Sequence, residues 1–223
     1  WNFPIVKYLI LKGLPVAIMN SVTAFGAMIL QYFVNAMGTA YVAAYAACMK
    51  LCSLFEQAGG AVGLAILTFT GQNYGACKIE RISKGVRDGI LLSILINIPI
   101  SLVQLLFPEI LTSLMLNDPI IISYTREFLL ITGFGIFPLG WLFVTRNACQ
   151  GMGKTFVPML SGIVEVIMRV VNGILIVPKW GFTGVAFAEV SAWGAAAIML
   201  IITYKSYITK CSLRSKSQYL SGS

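Results

Sequence analysis

Histidine is absent from this sequence of 223 residues, and charged side chains make up only 11% of it. Without histidine, neither a Ser-His-Asp triad nor a Cys-His pair can be assembled. The five cysteines include no Cys-x-x-Cys pair, which argues against a disulfide framework and against a zinc site. With no nucleophile–base set and no metal cluster in the sequence, we expect neither an enzyme nor a bound cofactor.

Apolar side chains occupy the place of the missing charges. Hydrophobic residues make up 58% of the chain and the mean hydropathy is +0.85, whereas a typical soluble domain is about 45–50% apolar and about 25% charged. This composition excludes a disordered chain, a coiled coil and an ordinary soluble enzyme. It predicts an all-α protein that crosses the lipid bilayer several times.

Six apolar segments are long enough to cross a membrane. Residues 13–49 carry no charge and are long enough for two spans, which Gly38-Thr39 would separate. Residues 78–88 are rich in charge and predict a loop between the second and third spans. The predicted helices cover residues 13–37, 41–72, 89–115, 121–149, 156–177 and 182–204.

The basic residues predict the orientation in the membrane. A cytoplasmic N-terminus would place twelve of the 16 Lys and Arg residues inside the cell and only Lys179 and Arg126 outside. The twelve are Lys7, Lys12, Lys78, Arg81, Lys84, Arg87, Arg146, Lys154, Lys205, Lys210, Arg214 and Lys216. Both termini are therefore predicted to be cytoplasmic, and we interpret the positive charge as membrane topology and not as nucleic-acid binding.

The predicted organisation has three parts. Residues 1–12 form a cytoplasmic segment, residues 13–204 form a six-helix transmembrane lobe, and residues 205–223 form a basic cytoplasmic tail. The tail is polar and rich in serine, so it is predicted to be disordered.

Ionisable side chains inside a span cost at least about 2.5 kcal/mol each, which makes them candidates for function. Glu165 and Arg169 share one helix face at positions i and i+4. They form either a self-neutralised structural pair or a pair that faces a cavity and responds to substrate or protons. Lys50 and Glu56 point in different directions on one helix, so each needs a partner or water. The candidate substrate- or cation-binding residues are Asn20, Gln31, Lys50, Glu56, Gln57, Glu165, Arg169 and Glu189.

Four short motifs follow one another at an informative spacing. Gly13-Leu14-Pro15 opens the first predicted helix, and Gly71-Gln72-Asn73-Tyr74-Gly75-Ala76 closes the second. Gln150-Gly151-Met152-Gly153-Lys154-Thr155 separates the fourth and fifth helices, and Gly181-Phe182-Thr183-Gly184-Val185 opens the sixth. In this order, the chain resembles the C-terminal six-helix lobe of the multidrug and toxic-compound extrusion (MATE) transporter family over residues 13–204.

The resemblance implies a twelve-helix transporter with two six-helix lobes, of which the N-terminal lobe is missing here. It implies a protein of the bacterial inner (plasma) membrane that exports organic, often cationic and amphipathic compounds in exchange for H⁺ or Na⁺. The partners would be the lipid bilayer, small organic substrates, and the missing lobe or a second copy, with no nucleic acid. Thr23 stands near a position where many relatives carry an acid, so coupling would fall to Glu56, Glu165, Glu189 or an acid of the other lobe.

Two alternatives stay open from the sequence. One is a flippase for lipid-linked sugars with a related fold, in which Lys50 and Arg169 would meet an anionic headgroup. The other is a non-transporting membrane scaffold, in which the intramembrane charges would pair with one another and not face water.

Overall fold

The computed structural model describes the backbone of residues 2–221 and the side chains of residues 2–211. It contains helices α1 (Phe3–Asn35), α2 (Thr39–Gly75), α3 (Ile79–Leu106), α4 (Pro108–Ser113), α5 (Pro119–Gly151), α6 (Phe156–Leu175) and α7 (Val177–Ser221). Among the described residues, six of these helices, all except the short α4, are long and apolar enough to span a membrane. The prediction of an all-α membrane protein with six spans is confirmed.

The charged stretch before the third span is helical and not a loop. Helix α3 begins at Ile79, so only residues 76–78 connect it to α2. The reason lies in the spacing of Ile82, Val86 and Gly89, which are buried on one face while the charged side chains point outward. In the same way α1 begins at Phe3, and the predicted cytoplasmic segment 1–12 lies almost entirely within this helix.

The third and the sixth spans also differ from the prediction. Phe107 leaves the helical conformation and Pro108 starts the separate helix α4, because proline has no N–H to continue the ladder of α3. Helix α7 breaks at Gly181, whose φ is +56°. It then continues past Tyr204, so residues 205–211 are helical where the sequence predicts disorder. No glycine or proline interrupts residues 195–221.

Helix α5 is the centre of the lobe and packs against α2, α3 and α7, while α6 lies between α1 and α7. One apolar cluster surrounds the first half of α5 and includes Phe128, Leu129 and Val185. A second cluster surrounds its last half and includes Leu142 and Leu200. The bundle therefore has two layers of core along the predicted membrane normal.

Small residues let α2 and α5 approach closely. A Cβ atom on Gly63 would lie 2.6 Å from Asn147 Nδ2 and 3.1 Å from the carbonyl oxygen of Phe143. A Cβ atom on Gly151 would lie 2.6 Å from the carbonyl oxygen of Leu67. The glycines at these positions thus bring the two helices together within the lobe, as small residues do in membrane bundles.

Candidate functional site

Four ionisable side chains form a continuous series of ion pairs in the interior. Arg146 of α5 pairs with Glu165 of α6, and Glu165 Oε2 lies 3.5 Å from Arg169 Nη1 on the same helix. Arg169 then donates from Nε and Nη2 to Glu189 Oε2 of α7, at 3.0 Å and 2.8 Å. We call Arg146, Glu165, Arg169 and Glu189 the charge ladder. It joins three helices through charges of alternating sign.

The charge ladder is almost completely withdrawn from the surface. The exposed fractions of Arg146, Glu165, Arg169 and Glu189 are 8%, 3%, 5% and 1%. An isolated charge would be very costly at this depth, but two arginines and two glutamates balance formally and satisfy one another. The ladder is therefore a self-neutralised unit.

Neutral polar groups cap both ends of the charge ladder. Arg146 Nη2 donates to Ser161 Oγ at 3.1 Å, and the hydroxyl of Tyr45 on α2 donates to Glu189 Oε1 at 3.4 Å. Helix α1 backs the middle of the ladder, because a Cβ atom on Gly26 would lie 2.9 Å from Arg169 Nη1. Five of the six long helices thus contact this network.

The structure keeps the predicted Glu165–Arg169 pair and adds partners from other helices. The sequence analysis counted Arg146 among the cytoplasmic basic residues, and the structure shows that its side chain is buried in the bundle and paired with Glu165. Helix α5 continues to Gly151, which leaves Arg146 more than a turn inside the helix. A polar stripe at Ser161, Glu165 and Arg169, spaced by four residues, is the sequence signal for a buried partner.

Glu56 forms none of the ion pairs of the charge ladder. Its side chain is partly exposed and lines a small crevice with Cys52, Gln104, Thr132 and Trp193. Within the described side chains Glu56 has no ion-pair partner closer than 4 Å. It is thus a carboxylate in an apolar span that no basic side chain pairs with directly.

The remaining candidates occupy the open faces of α1 and α2. Lys50 and Gln57 are exposed on one side of α2, two turns apart. On α1, Asn20 is exposed, and Gln31 Nε2 donates to Asn35 Oδ1 at 2.7 Å. Sequence reasoning grouped these side chains with the acids, but none of them joins the charge ladder within the described residues. No group of three or more His, Cys, Asp or Glu in residues 2–211 is arranged to hold a metal ion.

Six long apolar helices and buried ionic pairs define a polytopic helical membrane protein. Residues 15–175 match the family MatE, which covers more than half of the chain. The chain therefore belongs to the MatE family of multidrug and toxic-compound extrusion proteins.

Among characterised sequences, the chain is 26% identical over 160 residues to a probable multidrug resistance protein NorM of Thermotoga maritima, covering 72% of this chain and 34% of that protein. Among solved structures, it superposes on the Vibrio cholerae MATE transporter VcmN in the bent form with a TM-score of 0.83 and 19% identity, covering 89% of this chain and 46% of VcmN. It also superposes on a MOP superfamily transporter from Pyrococcus furiosus with a TM-score of 0.81 and 16% identity, covering 87% of this chain and 43% of that transporter. At these identities the structures show the fold alone. The chain spans between a third and a half of the length of these relatives.

Proposed function

We propose that the protein forms one lobe of a secondary antiporter that exports organic, often cationic and amphipathic compounds in exchange for H⁺ or Na⁺. The observation that carries this proposal is Glu56, an uncompensated and partly exposed carboxylate within a membrane span. Ionisable groups within membrane spans are costly and rare, and substrate and ion pathways are among the functions that they mark.

The charge ladder and Glu56 have different roles in this proposal. The ladder is already neutral, so binding another cation there would unbalance it. Glu56 has an unbalanced negative charge, so a proton, a sodium ion or an organic cation would each compensate it. These cations would compete for one carboxylate, and that competition exchanges inward ion flow for outward substrate flow. Gln104 and Thr132 provide further oxygen atoms beside it.

The polar faces of α1 and α2 support a second lobe as the partner. Lys50 and Gln57 on α2, and Asn20 on α1, are exposed along faces that would otherwise meet lipid. A second lobe, either an N-terminal one or a second copy of this chain, would cover these side chains and complete a central cavity. The coverage of less than half of each transporter relative fits this arrangement.

The protein would lie in the plasma membrane of a bacterium, and the contacts at one end of the bundle support the proposed topology. Lys12 Nζ donates to the carbonyl oxygen of Gly153 at 2.8 Å, and Lys154 Nζ lies 5.3 Å from the ring centre of Tyr207. The start of α1, the α5–α6 turn and the end of α7 therefore share one basic end. The positive-inside rule would make this end cytoplasmic, together with both termini.

The test is the replacement of Glu56 by Gln in the protein at its native length, reconstituted into proteoliposomes. Efflux of a fluorescent organic cation is measured under an imposed H⁺ gradient and, separately, an imposed Na⁺ gradient. Glu56→Gln should reduce gradient-driven efflux at least tenfold while the variant stays folded and inserted. Glu80→Gln, the same change at an exposed acid in the first turn of α3, is the matched control and should transport normally. Normal efflux by Glu56→Gln would end the proposal.

The same experiment separates the two alternatives. A sugar-lipid flippase would need Lys50 and Arg169 to bind an anionic headgroup, but Arg169 is buried and already paired with two glutamates. A scaffold would need only the self-paired ladder, so Glu56→Gln would change nothing measurable. Loss of efflux in the variant and not in the control would therefore favour the antiporter over both.

A further inference from the structure

A cavity of about 420 Å³ opens at the end of the bundle where α5 begins. Its walls come from the first turn of α2, the second and third turns of α5, α4 and the break at Gly181 within α7. We call this space the aromatic mouth, and it lies at the opposite end from the basic contacts of Lys12 and Lys154. Its volume is in the range of about 300–1,000 Å³ that is usual for sites of small organic ligands.

Aromatic rings form much of the wall of the aromatic mouth. The rings of Tyr41 and Tyr124 stack at 4.5 Å with an angle of 16°, and the ring of Phe182 lies 5.6 Å from that of Tyr41. Trp180 lines the same space and is 55% exposed. Aromatic faces carry partial negative charge and attract organic cations.

The ionic groups of the aromatic mouth leave one carboxylate uncompensated. Arg126 Nη1 lies 3.8 Å from Glu109 Oε1, so these two charges compensate each other. Glu127 accepts a hydrogen bond from the hydroxyl of Thr183, and it has no basic partner within 4 Å among the described side chains. The mouth thus has one net negative charge beside its aromatic wall.

The break at Gly181 builds this arrangement. Its φ of +56° and ψ of −133° interrupt the helix between Trp180 and Phe182. Glycine adopts this conformation without steric cost, which other residues do not. The break presents Trp180 before it and Thr183 after it to one cavity.

We propose that the aromatic mouth binds a flat aromatic cation, with Glu127 as the counter-charge and the rings as the apolar wall. This site is separate from the Glu56 crevice, because Tyr41 and Glu56 are 15 residues apart on α2, or about 22 Å at a rise of 1.5 Å per residue. The inference rests on the proposed function only for the substrate class. It adds a second station for the organic cation at the far end of the lobe.

The first test measures binding of two probes to the native-length protein in lipid nanodiscs by calorimetry. The probes are 1-methylquinolinium, which is a permanent cation, and quinoline at pH 7.5, which is its neutral relative. All variants carry Glu56→Gln, so that the crevice does not contribute. Glu127→Gln should weaken binding of the cation about fivefold or more, without changing that of quinoline.

Two further variants make this test specific. Arg126→Gln removes a positive charge from the mouth and should strengthen binding of 1-methylquinolinium, whereas Glu80→Gln at the other end should leave it unchanged. The proposal is overturned if Glu127→Gln binds the cation as well as its parent does, or if it loses both probes equally.

The second test uses protection from a thiol reagent. Ser123 and Ser83 are both exposed and line cavities at opposite ends of the molecule. In the native-length protein, 1-methylquinolinium should slow maleimide labelling of Ser123→Cys at least threefold and leave Ser83→Cys unaffected. Equal rates with and without the cation at Ser123→Cys would overturn the site even if a variant of Glu127 failed to fold.

The outcomes of this proposal and of the proposed function are distinguishable. Protection at Ser123→Cys together with normal efflux by Glu56→Gln would support the aromatic mouth and overturn coupling at Glu56. Lost efflux in Glu56→Gln with no protection at Ser123→Cys would support coupling at Glu56 and overturn the aromatic mouth.

Discussion

Replacing Arg169 by Met should destabilise the protein strongly, because it removes the main partner of Glu189. Arg169 provides two donors to Glu189 Oε2, at 3.0 Å and 2.8 Å. The remaining partner is the hydroxyl of Tyr45, which lies 3.4 Å from the other carboxylate oxygen. Glu189 is only 1% exposed, so water cannot replace the lost donors. Breaking a buried ion pair from one side costs about 3–5 kcal/mol.

The double variant Arg169→Met/Glu189→Leu separates charge compensation from packing. It removes one positive and one negative charge and keeps the Arg146–Glu165 pair, so the interior remains formally neutral. Replacing a buried pair by apolar side chains of similar volume is often neutral or stabilising by about 1–4 kcal/mol. The double variant should therefore recover at least about 2 kcal/mol of the loss in Arg169→Met.

Unfolding of the purified protein in mixed micelles, titrated with sodium dodecyl sulfate and followed by circular dichroism, measures these differences. Arg126→Met is the control, because Arg126 pairs with Glu109 at 3.8 Å and both side chains are more than half exposed. Exposed ion pairs of this kind contribute about 0–1 kcal/mol to stability. If the double variant unfolds no later than Arg169→Met, the charge ladder is not stabilised by compensation and the reasoning fails.

Two smaller effects follow from the packing. Gly151→Ala should destabilise the protein by about 1–3 kcal/mol, because its methyl group would meet the carbonyl oxygen of Leu67. At Gly194 a methyl group has open space, so Gly194→Ala should be neutral or stabilising. The same micelle titration compares the two variants. Tyr45→Phe should cost about 1 kcal/mol or less, because its bond to Glu189 is long at 3.4 Å. A loss in Tyr45→Phe as large as that in Arg169→Met would show that the hydroxyl is the essential partner.

Hydrophobic length was enough to predict the fold. The six apolar segments correspond to six membrane-spanning helices. A helix in a bilayer satisfies its own backbone hydrogen bonds, so the length and composition of a segment are enough to predict a span. Charge was a poorer guide to the ends of the helices. The charged stretch 78–88 is helical because burial of Ile82 and Val86 every four residues outweighs the charges on the open face. The third helix was predicted to continue to residue 115, but α3 ends at Leu106, because Pro108 cannot donate an N–H to continue it.

The site was only half visible in the sequence. Glu165 and Arg169 are neighbours on one helix, so their spacing alone predicts a pair. Arg146 and Glu189 join the charge ladder because α5, α6 and α7 pack together, and no local sequence pattern predicts that packing. Arg146 was assigned to the cytoplasm because a basic residue near a predicted helix end fits the positive-inside rule equally well. Only the burial of the side chain, and not its position in the sequence, distinguishes a buried, paired arginine from a cytoplasmic one.

In the proposed antiporter, the division between balanced and unbalanced charges assigns the response to an ion gradient to Glu56 and not to the charge ladder. A ladder with two charges of each sign gains nothing by taking up a cation, and it ties α5, α6 and α7 together. Among the described side chains, helix α2 makes one hydrogen bond to that ladder, the long bond of Tyr45, and it also carries Glu56. Cation binding at Glu56 would therefore change the charge of α2 while the ladder keeps the other three helices together.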